Sequence, residues 1–352
     1  MTSFASRLVV WQRKHGRHDL PWQGADVYRV WLSEVMLQQT QVGTVIPYFQ
    51  RFVAAFPNIE LLAAATQEHV LSHWSGLGYY ARGRNLHRAA QIIVRENQGV
   101  FPQQFEQIQK LPGVGRSTAA AICALAYHEG RAILDGNVKR LLSRFCGIEG
   151  WPGDNKVQEQ LWQLAEKLMP QTDIAIYTQS LMDLGATLCT RSRPKCVLCP
   201  VQSDCSALQT DRVTELPAAR PRKLLPQKQA TFLLIMVGNE ILLEKRPDSG
   251  IWGGLWCPPQ FEDEIGAKDW FEKNALQASE SQRLEKFTHT FSHFKLRISP
   301  LFIRLQNKPK RVDKYAAEWL EMEAVLSAAI PTPVKKMLGK IYQRQGKTNL
   351  RG

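Results

Sequence analysis

Four of the chain's seven cysteines fall within one short stretch, which limits the local fold more than any other sequence feature. Cys189, Cys196, Cys199 and Cys205 are separated by six, two and five residues. Thiols spaced in this way within one loop bind either zinc or an iron–sulfur cluster. Structural zinc sites usually combine two close pairs of ligands, whereas this loop has a single Cys-x-x-Cys pair. The pattern favours a [4Fe-4S] cluster held by these four cysteines, with zinc as the alternative.

The same loop is cationic, and so is the whole chain. Arg191, Arg193 and Lys195 lie between the first two cysteines, and the 352 residues carry a formal net charge of +13. A surplus of this size suggests a polyanionic partner, most often a nucleic acid. We therefore expect the three cations to bind DNA phosphates, unless they only balance the charge of the cluster.

Hydrophobic periodicity divides the chain into two parts joined by a linker. Residues 1–208 contain successive segments with apolar residues at helical spacing. Residues 209–228 include three prolines and predict an extended linker. Residues 229–345 mix β-branched strand segments, among them HTFSHFKLRI, with two helical ones, the first over residues 268–279. Residues 346–352 are expected to form a disordered tail. The predicted fold is a mainly α domain followed by a smaller α+β domain.

The N-terminal segment does not have the features of a signal peptide. MTSFASRLVVWQRKHGRHD has neither an apolar core nor a small-residue cleavage site, and no apolar run approaches the ~20 residues of a membrane span. We expect a cytoplasmic protein, and we expect a monomer.

The segment LPGVGRSTAAA predicts a tight turn between two helices. Gly113, Val114 and Gly115 form the turn, and Arg116 begins the second helix. Glycine allows close approach to the backbone, and the N–H groups at a helix N-terminus favour an anion. Such a helix–hairpin–helix can hold a DNA phosphate without reading the base sequence. We expect these four residues to contact DNA.

An aspartate follows this hairpin at the start of the next helix, in ILDGNVKR. As an isolated residue, Asp135 is a plausible helix N-cap. The order of hairpin, helix and aspartate, followed by the cysteine loop, resembles the endonuclease III branch of the helix–hairpin–helix DNA glycosylases. The resemblance covers roughly residues 5–208 and implies a mainly α catalytic domain that contains an iron–sulfur loop.

Further motifs resemble one branch of this superfamily, the adenine DNA glycosylases. They are WLSEVMLQQTQV, LGYYARGRNL, LPGVGRSTAAAI and ILDGNVKR. The resemblance implies a bacterial enzyme that excises adenine opposite 8-oxoguanine or guanine in duplex DNA. It also implies that Glu34 protonates the adenine ring and that Asp135 stabilises the positive charge growing on the sugar. Glu34 stands among apolar neighbours, and desolvation raises a carboxyl pKa toward neutrality.

Ser117 occupies the position at which bifunctional relatives carry a lysine. A serine hydroxyl cannot form a Schiff base with the sugar, so we expect base removal by water and an intact strand. Ser117 is a candidate contact of the sugar or of water, and Asn137 a candidate hydrogen-bonding partner of Asp135 or of a phosphate. Lys139 and Lys110 are nearby in sequence, which leaves slow strand cleavage open.

Excision of a stacked base requires that the nucleotide be flipped out of the duplex. Gln39 and Tyr79 match family positions that insert near the orphan base, and Gln38 is a further expected DNA contact. The alternative for Tyr79 is a packed aromatic residue in a Gly-Tyr-Tyr turn.

The second domain resembles a Nudix domain of the MutT type, beginning at RPDSGIWGGLWCPP. The REXXEE core that binds metals in Nudix hydrolases does not occur in the QFEDEIGAKDWFEKN that follows, so we expect recognition without hydrolysis. Phe291, Ser292 and His293 match the family loop that senses 8-oxoguanine, and His289 is a lesser candidate. Hydrogen-bonding groups suit this task, because 8-oxoguanine differs from guanine by one oxygen and one N–H.

Three other functions compete with this interpretation. An endonuclease III-type glycosylase and lyase for oxidised pyrimidines is disfavoured by Ser117 and by the second domain. A Nudix hydrolase of free nucleotides is disfavoured by the missing REXXEE motif. A non-catalytic DNA-binding protein would make the match at Glu34 and Asp135 a coincidence.

Overall fold

The computed structural model describes residues 3–221, 224–309 and 317–349. Two compact units divide the chain, and each is contributed by two segments. The first unit comprises Met1–Ala64 and Asn85–Arg222, and the second comprises Ala65–Arg84 and Lys223–Gly352. The predicted domain boundary at residue 208 assigns residues 65–84 to the first domain, whereas in the structure these residues group with the second unit.

The described part of the first unit is helical, with two short 3₁₀ turns in the cysteine loop. The helices up to residue 209 are α1 (Phe4–His15), α2 (Val27–Leu37), α3 (Val42–Ala55), α4 (Ile59–Ala64), α5 (Gln67–Trp74), α6 (Ala81–Asn97), α7 (Phe105–Lys110), α8 (Arg116–Tyr127), α9 (Gly136–Cys146), α10 (Asn155–Lys167), α11 (Ile174–Thr187) and α12 (Ser206–Gln209). Helix α5 lies in the second unit, and α6 crosses the boundary between the units.

A break in one predicted helix marks the transition between the units. The periodicity over residues 59–74 predicts a single helix, but the structure has α4 and α5 separated at Thr66. The hydroxyl of Thr66 accepts a hydrogen bond from the backbone N–H of His69 and caps α5. Threonine favours this cap position, so a new helix begins where periodicity alone predicts continuity.

Helix α11 is the centre of the first unit and packs on α1, α8 and α9. Its side chains Tyr177, Leu181 and Leu184 belong to a core that also contains Leu8 of α1 and Leu142 of α9. Removing such apolar side chains from water supplies most of the stabilisation of a helical domain of this kind.

A buried carboxylate ties α11 to the N-terminal segment. Asp183 is fully buried and accepts hydrogen bonds from Gln12 Nε2, Gln179 Nε2 and the backbone N–H of Arg17. The guanidinium of Arg17 donates to the same carboxylate, with Nε at 2.8 Å from Oδ1. A buried carboxylate is tolerated because its oxygens are fully hydrogen-bonded in this way. The network fixes the segment that follows α1.

The second unit contains a mixed sheet. Its strands are β1 (Gln227–Val237), β2 (Glu240–Lys245), β3 (Trp256–Cys257), β4 (Gln260–Phe261), β5 (Ala278–Arg283), β6 (Phe287–Thr290), β7 (Lys295–Leu305) and β8 (Ala317–Glu321). The order along the main path is β3-β2-β1-β7-β5. Strands β1 and β7 pair in parallel from Gln227↔Lys295 to Met236↔Arg304, and the other pairs are antiparallel.

Helices α13 (Glu264–Lys273), α14 (Met322–Ser327) and α15 (Thr332–Asn349) complete the second unit. Leu233 and Ile235 of β1 pack with Ala267 and Trp270 of α13 on one face of the sheet. Phe232 lies on the opposite face, because successive side chains of a strand alternate. The expectation of a helical domain followed by an α+β domain is confirmed.

Three segments of the second unit differ from their predictions. HTFSHFKLRI, predicted as one strand, is a hairpin whose turn is closed by Phe291 N–H donating to Phe294 O at 2.9 Å. The predicted helix over residues 268–279 ends with α13, and β5 follows. Helix α15 continues to Asn349, into the predicted tail, and residues 350–352 lie outside the described part of the chain.

Strand β7 contains Pro300, which lacks the N–H of a regular strand residue. The proline is located where the antiparallel partner of β7 changes from β6, paired up to Ile298, to β5, paired from Leu301. The backbone N–H that proline lacks is therefore at a position between the β6 and β5 pairings of β7, where a proline is tolerated. In the described parts of the chain, no helix combines the length and the apolar character needed to cross a membrane.

We expect Asp183→Asn to lower the free energy of unfolding by about 2–3 kcal/mol, because the Arg17 guanidinium loses its buried counter-charge. Urea denaturation measures this difference. Asp173→Asn is the matched control, since Asp173 at the start of the same helix makes an exposed ion pair with Arg13. The control should lose less than about 0.5 kcal/mol. Equal losses in both variants would contradict a special role for the buried network.

Candidate active site

A cleft of about 790 Å³ opens in the first unit. It lies between the end of α2, the start of α8, the start of α9, the segment after α1 and one side of α11. The charged and amide side chains that line it are Arg17, Glu34, Gln38, Gln39, Gln41, Asp135, Asn137, Arg140 and Gln179. Two acidic residues from distant parts of the sequence, Glu34 and Asp135, therefore share one cavity.

Helix α2 presents Glu34 to the cleft. Its N-cap is Asp26, whose side chain accepts a hydrogen bond from the backbone N–H of Arg29. Trp31, Leu32 and Val35 are buried on the other sides of the helix. Glu34 is the residue of α2 whose carboxyl faces the cavity. Burial raises its pKa to about 7, and the negative charge of Asp135 acts in the same direction. Near neutral pH this carboxyl holds a proton that it can donate.

Asp135 is held at the N-terminus of α9. Its Oδ1 accepts a hydrogen bond from the backbone N–H of Val138 at 2.8 Å, so it is also the helix N-cap. Burial raises its pKa, while the backbone N–H groups of Val138 and Asn137 and the charges of Arg140 and Lys139 oppose this shift. Among the described residues, burial and Asp135 are what shift the pKa of Glu34, so the two carboxyls have different electrostatic surroundings in one cleft.

Two hydrogen bonds tie the hairpin to the cleft. Ser117 Oγ accepts a hydrogen bond from the backbone N–H of Leu134 at 2.9 Å, and Leu134 is the residue that precedes Asp135. Gln38 Nε2 donates to the carbonyl oxygen of Gly113 at 3.1 Å. Ser117, expected to contact sugar or water, thus also fixes the backbone that carries Asp135. Gln38, expected to contact DNA, also braces the hairpin turn.

The side chain of Asn137 is directed to Arg140 rather than to Asp135. Arg140 Nη2 donates to Asn137 Oδ1 at 2.9 Å and to Gly185 O at 2.7 Å, and Arg140 Nε donates to Cys189 O at 2.7 Å. Only the backbone N–H of Asn137 acts on Asp135. These bonds connect the start of α9 to the first cysteine of the loop.

The hairpin turn has the geometry that anion binding requires. Gly113 has φ +79°, and a Cβ at this position would lie 2.9 Å from Cβ of Asn85. Gly115 is the N-cap of α8 and, as a glycine, has no side chain with which to cap the first turn. Val114 is buried, whereas both glycines are exposed. The N–H groups at the start of α8 are therefore available to an anion.

Arg116 lies at the first position of α8 and is held against α10. Its guanidinium carbon is 3.8 Å from the centroid of the Trp162 ring, and it forms an ion pair with Glu166. This cation–π contact fixes the side chain beside the turn while leaving it partly exposed.

The four cysteines of the loop line one small cavity, of about 20 Å³, together with residues of α9. All four are free thiols, and burial raises the pKa of Cys199 to about 11. Arg144, a buried residue of α9, donates to Cys189 Sγ at 3.4 Å and to Thr190 O at 2.7 Å. Within the described ranges, no three His, Cys, Asp or Glu side chains are arranged to hold a single metal ion.

The cations predicted to bind DNA project from this loop into solvent. Arg191, Arg193 and Lys195 are all exposed, as are Val197 and Leu198 at the tip. Exposure leaves these side chains available to a polyanion.

Gln39 and Tyr79 both have left-handed backbone conformations, with φ +57° and +48°. Gln39 follows the end of α2 at the rim of the cleft and is exposed. Tyr79 lies in the turn before α6, in the second unit, with 54% of its surface exposed. The guanidinium carbon of Arg82 lies 5.4 Å from the centroid of the Tyr79 ring, so the ring is partly packed as well as exposed. Strained conformations of non-glycine residues often occur at functional sites.

In the second unit, Phe291, Ser292 and His293 form the turn between β6 and β7. Ser292 and His293 are exposed, and Ser292 Oγ lies 3.3 Å from His293 Nδ1. Phe291 is partly buried against aromatic neighbours. Burial lowers the pKa of His289, on the adjoining strand, so this imidazole is more often neutral.

Sequence reasoning missed several residues that shape the cleft. Arg17 and Gln179 line it, and both are hydrogen-bonded to the buried Asp183. Their sequence signal is one acidic residue on an otherwise uncharged helix, which by itself does not distinguish a buried anchor from a surface charge.

Comparisons with known proteins agree with this architecture. A family model described as HhH-GPD superfamily base excision DNA repair protein matches residues 32–167, and a NUDIX domain model matches residues 230–340. The chain is also similar to a solved thermostable thymine-DNA glycosylase, with a TM-score of 0.54 and 28% identity over 59% of this chain and 95% of that one. Fold and cleft thus define a DNA glycosylase of the HhH-GPD class.

Two relatives narrow the class. The chain is 39% identical to the adenine DNA glycosylase of Buchnera aphidicola subsp. Acyrthosiphon pisum, over 95% of this chain and 96% of the relative. It is 35% identical to the adenine DNA glycosylase of Mus musculus, over 98% of this chain and 79% of the relative. The chain belongs to the adenine DNA glycosylase family.

We expect Asp135→Asn to lower the pKa of Glu34 from about 7, because it removes the negative charge that disfavours the Glu34 carboxylate. Asparagine also serves as an N-cap, so α9 should keep its start. NMR of carboxyl-labelled glutamate against pH measures the shift. The matched control is Asp154→Asn, at the N-cap of α10. An unchanged or raised Glu34 pKa would contradict the coupling.

Proposed function

We propose that this chain is a monofunctional adenine DNA glycosylase of base excision repair. It flips adenine out of duplex DNA opposite 8-oxoguanine or guanine, and removes the base by hydrolysis to leave an abasic site. The observation that carries the proposal is the pair of carboxyls in one cleft, of which Glu34 has a pKa of about 7. The family membership supports adenine as the base.

The cleft suits acid catalysis of N-glycosidic cleavage. A protonated Glu34 donates to a ring nitrogen of adenine, which makes the base a better leaving group. Asp135, whose carboxylate accepts the N–H of Val138 and faces two cations, stabilises the positive charge on the sugar. Asp135 acts in its ionised form, and these donors and cations favour that form. After the N-glycosidic bond breaks, water bonds to the sugar carbon that carried adenine, and the proton that this water loses returns to the Glu34 carboxylate.

Strand cleavage is not part of this chemistry. Ser117 stands where a lyase would carry its lysine, and its hydroxyl is bound to the Leu134 N–H. Lys139 Nζ donates to Gln158 Oε1 at 2.8 Å, which directs this amine to α10. These contacts support a monofunctional reaction over the endonuclease III-type alternative.

DNA is the partner that the family and the basic charge support. The first turn of α8, the cations of the cysteine loop and Gln39 supply phosphate and groove contacts on the first unit. Ser292 and His293 offer exposed hydrogen-bonding groups for 8-oxoguanine. The protein acts as a cytoplasmic monomer in this proposal.

The four cysteines are proposed to hold one [4Fe-4S] cluster. They line one cavity and are free thiols, and Cys189 Sγ accepts a hydrogen bond from Arg144, which suits cysteine ligands of a buried cluster. The cluster, when bound, organises the loop that carries Arg191, Arg193 and Lys195, and the reaction in the cleft uses protein side chains alone.

Metal analysis of purified protein tests this assignment. We expect iron and acid-labile sulfide at about four of each per chain. Cys199→Ser should lower both, whereas Cys146→Ser, at the end of α9 outside the ligand set, should leave them unchanged. One zinc per chain with no iron would contradict the cluster and favour the alternative.

Glu34→Gln tests the excision chemistry. We expect adenine release to fall by about 10²–10⁴-fold, because glutamine keeps the shape of the side chain but cannot donate the carboxyl proton. A single-turnover assay on duplexes with A opposite 8-oxoguanine, G, C or T measures it, with each sample split before alkali.

Wild-type protein should release adenine fastest opposite 8-oxoguanine, and strands should break only after alkali. Glu323→Gln is the matched control, on α14 in the second unit, and should keep the wild-type rate. Full activity of Glu34→Gln, or strand breaks without alkali, would contradict the proposal.

A further inference from the structure

Trp252 has a backbone conformation that bulky residues rarely adopt. Its φ is +56°, in the left-handed region that favours glycine. A conformation of this kind costs free energy and persists only where the surrounding structure enforces it. Trp252 is also 92% buried, since only 8% of its surface is exposed. The cleft chemistry proposed above does not use this residue.

Backbone contacts on either side enforce the turn that contains Trp252. Arg246 N–H donates to Leu255 O at 2.9 Å, and Gly254 N–H donates to Arg246 O at 3.1 Å. A Cβ on Gly253 would lie 2.4 Å from Asp248 O, so the chain passes too closely for any side chain there. The closed loop leaves the Trp252 indole little freedom of position.

The indole contacts three rings of the second unit, of which Phe232 is buried and His289 and Phe291 are partly buried. Its centroid lies 6.2 Å from Phe232, 5.8 Å from His289 and 5.5 Å from Phe291. Phe232 belongs to the buried centre of β1, so Trp252 connects the sheet to the turn between β6 and β7. Aromatic pairs at these distances and tilts attract each other beyond the effect of their burial.

Phe291 has a second ring partner within its own turn. It stacks on Phe294 with centroids 4.5 Å apart and an interplanar angle of 15°. Its N–H also donates to Phe294 O at 2.9 Å, which closes the turn. Its ring therefore contacts Trp252, Phe294 and also His289, whose ring centroid lies 4.6 Å away. The two residues at the tip of the turn, Ser292 and His293, remain exposed.

We propose that Trp252 is a positioning residue for the 291–294 turn and thereby sets the preference for 8-oxoguanine over guanine. The inference rests on the proposed recognition function of Ser292 and His293. A hydrogen-bonding reader that must detect one oxygen and one N–H needs a fixed position, because a displaced donor or acceptor loses its partner. Trp252 supplies that position through Phe291 and does not itself contact DNA.

Trp252→Leu is the principal variant, with Trp252→Phe as a conservative second one. The measurement is affinity and single-turnover adenine release on A:8-oxoguanine and A:G duplexes. We expect Trp252→Leu to reduce the ratio of the two affinities about 5–10-fold, mainly through weaker A:8-oxoguanine binding, and to leave the A:G rate near wild type. Trp252→Phe retains a ring and should recover part of the ratio.

Trp270→Leu is the matched control. Trp270 lies on α13, with its ring 5.6 Å from Phe261, on the face of the sheet opposite Phe232. The Trp270→Leu substitution removes an indole of the same size from the same unit, on the face of the sheet away from Phe232. A merely structural role for Trp252 predicts equal effects of both leucine variants on the ratio, and that result would overturn the proposal.

A double variant tests the route of the effect. If Trp252 acts through Phe291, Trp252→Leu should add little to Phe291→Ala, whereas independent effects would multiply. Multiplied effects, or a wild-type ratio in Trp252→Leu, would overturn the role of Trp252. Wild-type protein without any preference for A:8-oxoguanine would instead contradict the proposed recognition function itself, so the two failures are distinguishable.

Discussion

The burial of the Glu34 carboxyl beside Asp135 is the interaction on which the proposed activity depends. A carboxyl in water is almost fully ionised at neutral pH and cannot protonate a base. Helix α2 places Glu34 where burial raises its pKa to about 7, and the second carboxyl in the cleft reinforces the shift. Placing an acid of this kind inside a protein is unfavourable unless the surrounding structure holds it there.

The surrounding helices supply that support through polar contacts. Asp135 caps α9, Ser117 binds the backbone just before it, and Arg140 links the start of α9 to Cys189. Asp183 anchors the opposite wall through Arg17. The cysteine loop, the hairpin and the cleft are thus connected by hydrogen bonds within one set of helices.

The fold class and the family could be predicted from sequence because they depend on local patterns. Helical periodicity, the PGVG turn and the Asp-Gly-Asn N-terminus of α9 each specify their own segment. Glu34 and Asp135 were identified by resemblance to family motifs, and the structure places both in one cleft. The division of roles between them remains a proposal that the pKa of Glu34 supports.

Other features depend on contacts between distant residues and left no readable pattern. Asp183 reads as an ordinary polar position on α11, yet it is an anchor because Gln12 and Arg17 reach it from more than 160 positions away in sequence. Strand β5 is polar and exposed throughout, so no alternation indicates it. In the sequence, Trp252 is one residue of a glycine-rich motif. Its ring contacts and its positive φ, which only the structure reveals, identify it as a candidate positioning residue.

The pH dependence of single-turnover adenine release tests the central claim most directly. Glu34 is proposed to act in its protonated form and Asp135 in its ionised form, so wild-type activity should fall as pH rises through about 7 and should also fall at low pH, where Asp135 becomes protonated. Glu34→Gln should be slow and lack this transition, because glutamine does not titrate. A wild-type rate that stays constant or rises from pH 6 to about 9, or a Glu34→Gln profile with the same transition, would contradict the assignment of Glu34 as the acid.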